Sequence, residues 1–374
     1  MKIGVLTSSR ADYGVYQPLL MKFKNHEGFY VEVIAFGMHL QEKQGNTIDA
    51  IESDECSKIH TVGTMPESDS VFDIASGYGS LVSDFAQFWN QHTFDLIFVL
   101  GDRWEMSAAV QASIPFELKV AHLYGGETTL GATDNIYRHQ ISLASHYHFT
   151  GTDTYSDRLR ALIDTKEGIH TVGSISLEGL ESIVLPTWLE VSRQFSIPFN
   201  EFVLVTFHPE SVGASRNEDY AQTAFVVLEK LINQYNILIT GANSDVMGSL
   251  FNQQFERLQE LYPTKVKLVS ALGKLNYFKA MEQCSFMLGN TSSGIIEAAS
   301  FRKFVINVGD RQKGRLRNAN VLDVPFNSKK ILEMVNRAGR LNTYEGENMF
   351  VKPGTTEMII EIISNDKGLQ KSSH

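Results

Sequence analysis

Cysteine is nearly absent from this chain: Cys56 and Cys284 are the only two in 374 residues, and they stand far apart. No disulfide framework and no CxxC metal motif can be built from such a pair, which fits a reducing, cytoplasmic setting. Long apolar runs are also missing. The N-terminal stretch Met1–Thr7 is too short for a signal peptide, and no later segment is long enough to span a bilayer, so no membrane partner is expected. Positive charge is in deficit, with 33 Lys and Arg against 43 Asp and Glu and a net charge of −10. Such a surface repels nucleic acid, which is therefore not an expected partner. An anion can still be held, but only in a local pocket of arginine, histidine and helix N-termini. Several signatures are absent as well: the GxGxxG dinucleotide fingerprint, the P-loop lysine, HExxH or any His/Cys ligand cluster, and the GxSxG serine elbow. No metal and no cofactor is expected.

What is present is ordinary in bulk and specific in pattern. Hydrophobic residues make up 43% and charged residues 20%, as in a soluble globular protein. The length exceeds one ordinary core and fits two domains. Short apolar runs ending in Gly, Ser or Asn alternate with longer amphipathic stretches. Strands are expected at Ile3–Thr7, Tyr30–Phe36, Asp95–Leu100, Val120–Leu123 and His146–Thr150, then at Phe202–Phe207, Ile237–Thr240, Val266–Val269, Phe286–Leu288 and Phe304–Val308. Continuous β-branched and apolar runs of this kind suit parallel strands buried on both faces. The alternation predicts an α/β fold of two Rossmann-like domains facing a cleft. The pattern restarts near residue 200, after a connector holding Pro186 and Pro198, two of nine prolines. The expected divisions are 1–175, 176–355, and a C-terminal helix and tail over 356–374.

In a parallel sheet all strand C-termini share one edge, so polar turns after the strands can meet one ligand. After the first strand comes Ser8-Ser9-Arg10-Ala11-Asp12, a small-residue turn at a helix start. It suits an anion, with Arg10 and Asp12 as contacts, or it is an ordinary β–α turn. His39 follows the second strand, where a lone histidine is more often structural. Asp102 and Arg103 follow the run Ile97–Gly101; alone, Asp102 reads as a helix cap. The next strand ends in Gly125-Gly126-Glu127, and paired carboxylates at one edge can divide acid and base roles. Asp134, Asn135, Arg138 and His139 cluster just beyond, at a helix start. In the second half, His208 and Glu210 end a strand, Asn243 follows the next, and Gly289–Gly294 with Thr291, Ser292 and Ser293 joins a strand to a helix carrying Glu297. Arg311 lies beyond a further strand. Hydroxyls and backbone amides there suit a phosphate, and Glu297 suits ribose hydroxyls. The four turns together suggest a nucleoside-diphosphate cradle.

As a set these residues resemble the hydrolysing UDP-N-acetylglucosamine 2-epimerases. The matching stretches are Ser9–Gly14 (SRADYG), Met38–Leu40 with Gly45–Thr47, Leu100–Arg103 (LGDR), Gly125–Glu127, Arg138-His139, Phe207–Glu210 (FHPE), Gly289–Gly294 (GNTSSG) and Ile306–Arg315. They run in order through most of the chain. The resemblance implies a GT-B-type fold, a UDP-sugar substrate, a homodimer or homotetramer, and loss of UDP through a glycal intermediate that is then hydrated. The product would be N-acetylmannosamine, or a related sugar if the substrate is a 2,4-diacetamido-2,4,6-trideoxy analogue; a GT-B glycosyltransferase shares the cradle. By similarity Asp102, Glu127 and Asp134 are the acid–base residues, supported by His139 and by His208. Substrate contacts fall to Arg10, Asp12, His39, Arg103, Arg138, Asn243, Thr291, Ser292, Ser293, Glu297 and Arg311. One departure stands out: relatives often carry an acidic residue where this chain has Asn135, and an asparagine cannot act as a base.

Overall fold

A computed structural model describes residues 1–40, 48–53, 58–63, 65–66, 68, 70–241, 248–341 and 343–370. The chain divides into two compact units. The first takes Met1–Glu127, Asp134–Glu181 and the residues from Phe350 on, and the second takes Thr128–Thr133 and Ser182–Met349.

In the first unit seven strands are β1 (Lys2–Thr7), β2 (Tyr30–Phe36), β3 (Lys58–Val62), β4 (Leu96–Leu100), β5 (Val120–Leu123), β6 (Tyr147–Thr150) and β7 (Ile169–Thr171). They pair in the order β3-β2-β1-β4-β5-β6-β7, all parallel. The apolar runs are continuous because each strand buries both faces. In β4, Leu96, Phe98 and Leu100 enter one core, while Ile97 and Val99 enter the core on the other face. The second unit repeats the scheme with six strands, β8 (Val203–Thr206), β9 (Ile237–Thr240), β10 (Val266–Val269), β11 (Met287–Gly289), β12 (Val305–Val308) and β13 (Val321–Val324). Their order is β10-β9-β8-β11-β12-β13, again parallel.

All ten strands expected from the sequence are present, six with one or both ends shifted by one residue. Three further strands, β3, β7 and β13, lie at sheet edges. Their sequences, Lys58-Ile59-His60-Thr61-Val62, Ile169-His170-Thr171 and Val321-Leu322-Asp323-Val324, are interrupted by polar residues because an edge strand is not enclosed on all sides. The C-terminal helix Thr355–Ser364 does not stand apart. Its Ile359 and Ile363 are fully buried in the first unit's core, and the Thr355 hydroxyl donates to Val172 O at 2.6 Å.

Each sheet has one point where strand order reverses, between β1 and β4 and between β8 and β11. Outside the strand C-termini at such a point adjacent loops splay apart and leave a crevice, the usual ligand position in open α/β sheets. No helix of the described residues is long and apolar enough to cross a membrane.

Candidate functional site

The first unit gathers its polar turns around β1, β4 and β5. Asp12 does not point outward. Its carboxylate accepts from the Ser8 hydroxyl at 2.7 Å and the Ser8 amide at 3.2 Å, while its own amide donates to the Ser9 hydroxyl, the N-cap of the helix Arg10–Lys24. The arrangement is a helix-start clamp, and it leaves Arg10 exposed beside it. His39, in the 3-10 turn Gly37–Leu40, is buried with Nε2 2.9 Å from the Thr7 hydroxyl. Burial holds its pKa down to about 4, against the opposing charge of Asp12, so the ring is neutral near pH 7.

Beyond β4 the chain turns at Gly101, with φ of 74°. Asp102 does not cap the next helix: Arg103 occupies the N-cap position of Trp104–Ser113, and no side-chain capping bond forms. Asp102 instead meets Arg138, whose Nη2 donates to its Oδ2. The other arm of Arg138 donates to Tyr124 O at 2.9 Å and to Glu127 Oε2 at 3.4 Å. Arg138 is fully buried, and the side chains of Asp102 and Glu127 are 22% and 3% exposed. The two carboxylates expected to act as a pair are therefore bridged by a guanidinium, and Asp102 is the one a ligand can reach. Arg103 turns away from this group, with Nη2 2.9 Å from Glu105 Oε1 and Nε 3.3 Å from Oε2.

His122, overlooked in the sequence, fixes the geometry from beneath. Its Nε2 donates to Gly101 O at 2.8 Å, so Nδ1 must accept, and the Ser142 hydroxyl lies 3.1 Å away to donate. Burial depresses its pKa to about 3, which keeps it neutral. Tyr124 takes an unfavourable backbone φ of 67°, turning its carbonyl to Arg138. Gly126 is required by packing: a Cβ there would stand 2.2 Å from Tyr155 O.

Asp134 opens the helix Asp134–Leu143, which brings Asn135 and His139 onto one face. Asn135 Nδ2 lies 3.4 Å from His139 Nε2. An amide N–H can only donate, so Nε2 accepts and the ring proton sits on Nδ1, which is buried and makes no hydrogen bond among the described residues. Burial, then the charge of Arg138, lowers the His139 pKa below its ordinary value.

The second unit knits together the turns after β8, β11 and β12. Gly289 at the end of β11 would place a Cβ 1.8 Å from Thr206 O, so no other residue lets β8 and β11 approach so closely. Asn290 then clamps the backbone of His208, accepting from its amide at 2.7 Å and donating to its carbonyl at 2.9 Å. The Asn290 carbonyl in turn receives Gln312 Nε2 at 2.8 Å and Arg311 Nη1 at 3.5 Å. Glu210 accepts at Oε1 from the amides of Asp310, 2.6 Å, and Arg311, 3.2 Å. Its burial raises its pKa above the ordinary carboxylate value, partly offset by those amides.

Thr291, Ser292 and Ser293 are half-buried at the start of the short helix Ser292–Ile296. Ser293 bonds the Tyr277 hydroxyl at 2.7 Å and Thr291 Oγ1 at 3.2 Å. Glu297 faces Lys274, whose pKa burial lowers to about 8 while the Glu297 charge opposes the fall. Asn243, expected among the contacts, lies outside the described residues. Glu210, Asn290 and Gln312 stood inside recognised motifs without being assigned roles. A lone polar residue within the apolar run Val120-Ala121-His122-Leu123 was the available signal for His122; Lys274 offered none.

Two Rossmann-like units, each with polar turns at its switch point, define a GT-B-type α/β protein. The chain belongs to the UDP-N-acetylglucosamine 2-epimerase family, whose sequence profile matches residues 21–364. It is 30% identical over 363 residues to the UDP-N,N'-diacetylbacillosamine 2-epimerase (hydrolyzing) of Legionella pneumophila, covering 97% of this chain and 95% of that protein. To the polysialic acid biosynthesis protein P7 of Escherichia coli it is 29% identical over 335 residues, covering 90% and 85%. Its fold superposes with a TM-score of 0.79 on the UDP-GlcNAc 2-epimerase of Neisseria meningitidis bound to UDP-GlcNAc, at 16% identity, covering 98% of this chain and 100% of that one.

Proposed function

We propose that the chain is a hydrolysing 2-epimerase that converts UDP-N-acetylglucosamine to UDP and N-acetylmannosamine. A base takes the C2 proton, the C1–O bond to UDP breaks with departure of UDP, and a glycal forms. Water then adds across the double bond, its hydroxyl going to C1 and a proton to the opposite face of C2. The observation that carries this reading is the Asp102–Arg138–Glu127 group, two carboxylates locked by one buried guanidinium on the helix that also carries Asp134 and His139. The guanidinium fixes the orientation of both carboxylates, which is what positioned proton transfer demands. In this reading Asp102, Glu127 and Asp134 carry protons, with His139 as a neutral neighbour. Arg10, His208, Thr291, Ser292, Glu297 and Arg311 hold UDP, and Arg311 stabilises the charge on the departing diphosphate. The enzyme works in the cytoplasm as a homodimer or homotetramer.

A second reading keeps the chemistry and changes the sugar to a UDP-2,4-diacetamido-2,4,6-trideoxyhexose. The Legionella relative, similar over nearly the whole chain, favours it, and Asn135 is the departure that would accompany a changed substrate. Incubation with each nucleotide sugar in heavy water separates the readings. Free 2-epimer bearing deuterium at C2 from one of the two is the expected result. Release of unepimerised sugar retaining protium at C2, or turnover only with an added acceptor, would replace the proposal with hydrolysis or glycosyl transfer.

A further inference from the structure

Six residues, Thr128–Thr133, lie between Glu127 and Asp134 in the chain, yet they are counted with the second unit while both neighbours belong to the first. The segment is bound through its backbone. Leu130 N donates to Lys313 O at 2.9 Å, Val212 N donates to Gly131 O at 3.3 Å, and Thr133 N donates to the Ser211 hydroxyl at 2.9 Å. Gly131 sits directly on the Asp310–Arg311 peptide: a Cβ there would stand 2.3 Å from Asp310 O and 2.7 Å from Arg311 N. From another direction the Glu210 carboxylate receives the amides of the same two residues. Gly309, with φ of 82°, has no room for a Cβ, which would lie 2.4 Å from Glu210 Oε1. Gly314, with φ of 91°, is likewise closed off by Thr128 Cγ2 at 2.9 Å. The peptide bearing Arg311 is thus held by the strap at its carbonyl and by Glu210 at its amides.

We propose that Gly131 is a positioning residue, and that the strap it anchors fixes the placement of the Arg311 loop for UDP. The inference rests on the assignment of Arg311 to UDP. The physical reason is steric: only a residue without a Cβ lets the strap lie on the Asp310–Arg311 peptide, so a larger residue at 131 displaces one or the other.

Enzyme carrying Arg311→Ala, Gly131→Ala, Glu210→Leu or Glu210→Gln is compared with the unaltered protein for UDP dissociation constant, kcat and thermal midpoint. Arg311→Ala and Glu210→Leu are expected to raise the UDP dissociation constant at least tenfold, with Glu210→Leu leaving kcat within threefold. Glu210→Gln keeps an accepting oxygen and restores binding. Gly131→Ala is expected to raise the UDP constant at least tenfold and by more than it changes kcat. If Arg311→Ala binds UDP normally, the assignment of Arg311 falls. If Arg311→Ala is weakened but Gly131→Ala binds UDP as the unaltered protein does, the strap's role falls alone. Should Gly131→Ala fail to fold, hydrogen exchange on the unaltered protein decides. Saturating UDP is expected to slow exchange of the Leu130 amide at least threefold, and an unchanged rate overturns the proposal.

Discussion

Arg138 is the residue on which the first unit's chemistry turns. A guanidinium with no exposed surface holds two carboxylates, and removing it leaves the buried Glu127 charge uncompensated. Arg138→Met is therefore expected to cost about 3–5 kcal/mol in urea unfolding. Asp102→Asn keeps the shape and leaves the Glu127 contact, so it should fold, bind UDP, and lose about 10²–10⁴ in kcat. If its main defect is UDP affinity, Asp102 belongs to binding instead. His139 offers a pH test. Its pKa is already lowered by burial and by Arg138, and Asn135 adds no charge. Asn135→Asp places a negative charge one helical turn away, which favours the imidazolium and must raise that pKa. Where turnover needs the neutral ring, the acid limb of the kcat profile moves to higher pH, and an unmoved limb removes His139 from the reaction. At this scale the sequence was informative about residue types but not about pairings. Asp102, Glu127 and Arg138 were legible as a cluster because each follows a strand or opens a helix. That Arg138 reaches both acids, and that Arg103 turns to Glu105, depends on side-chain directions that spacing does not encode.

At the scale of elements, the buried strands were legible because burial on both faces leaves an uninterrupted apolar run, as in Leu96–Leu100. Three of the four edge strands were not, since β3, β7 and β13 carry polar residues where no neighbour covers them, while the edge strand β10 was expected. The glycines of the strand–turn–helix junctions have two different causes. Gly101 supplies a positive φ before Asp102 in open space. Gly126 and Gly289 are fixed by backbone contact, with a Cβ falling 2.2 Å from Tyr155 O and 1.8 Å from Thr206 O respectively. Gly289→Ala should consequently destabilise the second unit by about 3 kcal/mol, the upper end of ordinary overpacking. Chemical denaturation followed by the near-ultraviolet signal checks this, and a cost under about 0.5 kcal/mol, the size of a neutral surface change, would contradict it.

For the whole molecule, acid is the expected weakness. His39, His122 and His148 are buried and have pKa values held down to about 4, 3 and 4 by desolvation. Between those values and the ordinary 6.5 the unfolded chain binds more protons than the folded one, so stability rises with pH and is lost on acidification. At about 1.4 kcal/mol per pKa unit, His39 and His148 can each contribute up to about 3–4 kcal/mol of that loss and His122 up to about 5 kcal/mol. Urea midpoints measured from pH 7 to pH 4 should fall steeply, and His122→Asn should flatten the slope. A midpoint independent of pH across that range would refute the buried neutral state.

What the sequence determined by itself was the α/β class, the repetition of one Rossmann-like plan and the turns that carry chemistry, because strand burial and helix starts are written in local composition. Only the tertiary structure decided that Arg138 bridges the two carboxylates, that His122 supports Asp102 through Gly101, that the C-terminal helix completes the first core, and that Thr128–Thr133 packs on the Arg311 loop. These are relations between residues distant in sequence or between parts of a backbone. They are set by which side chains and peptide groups meet when two parallel sheets form, and no local pattern specifies that.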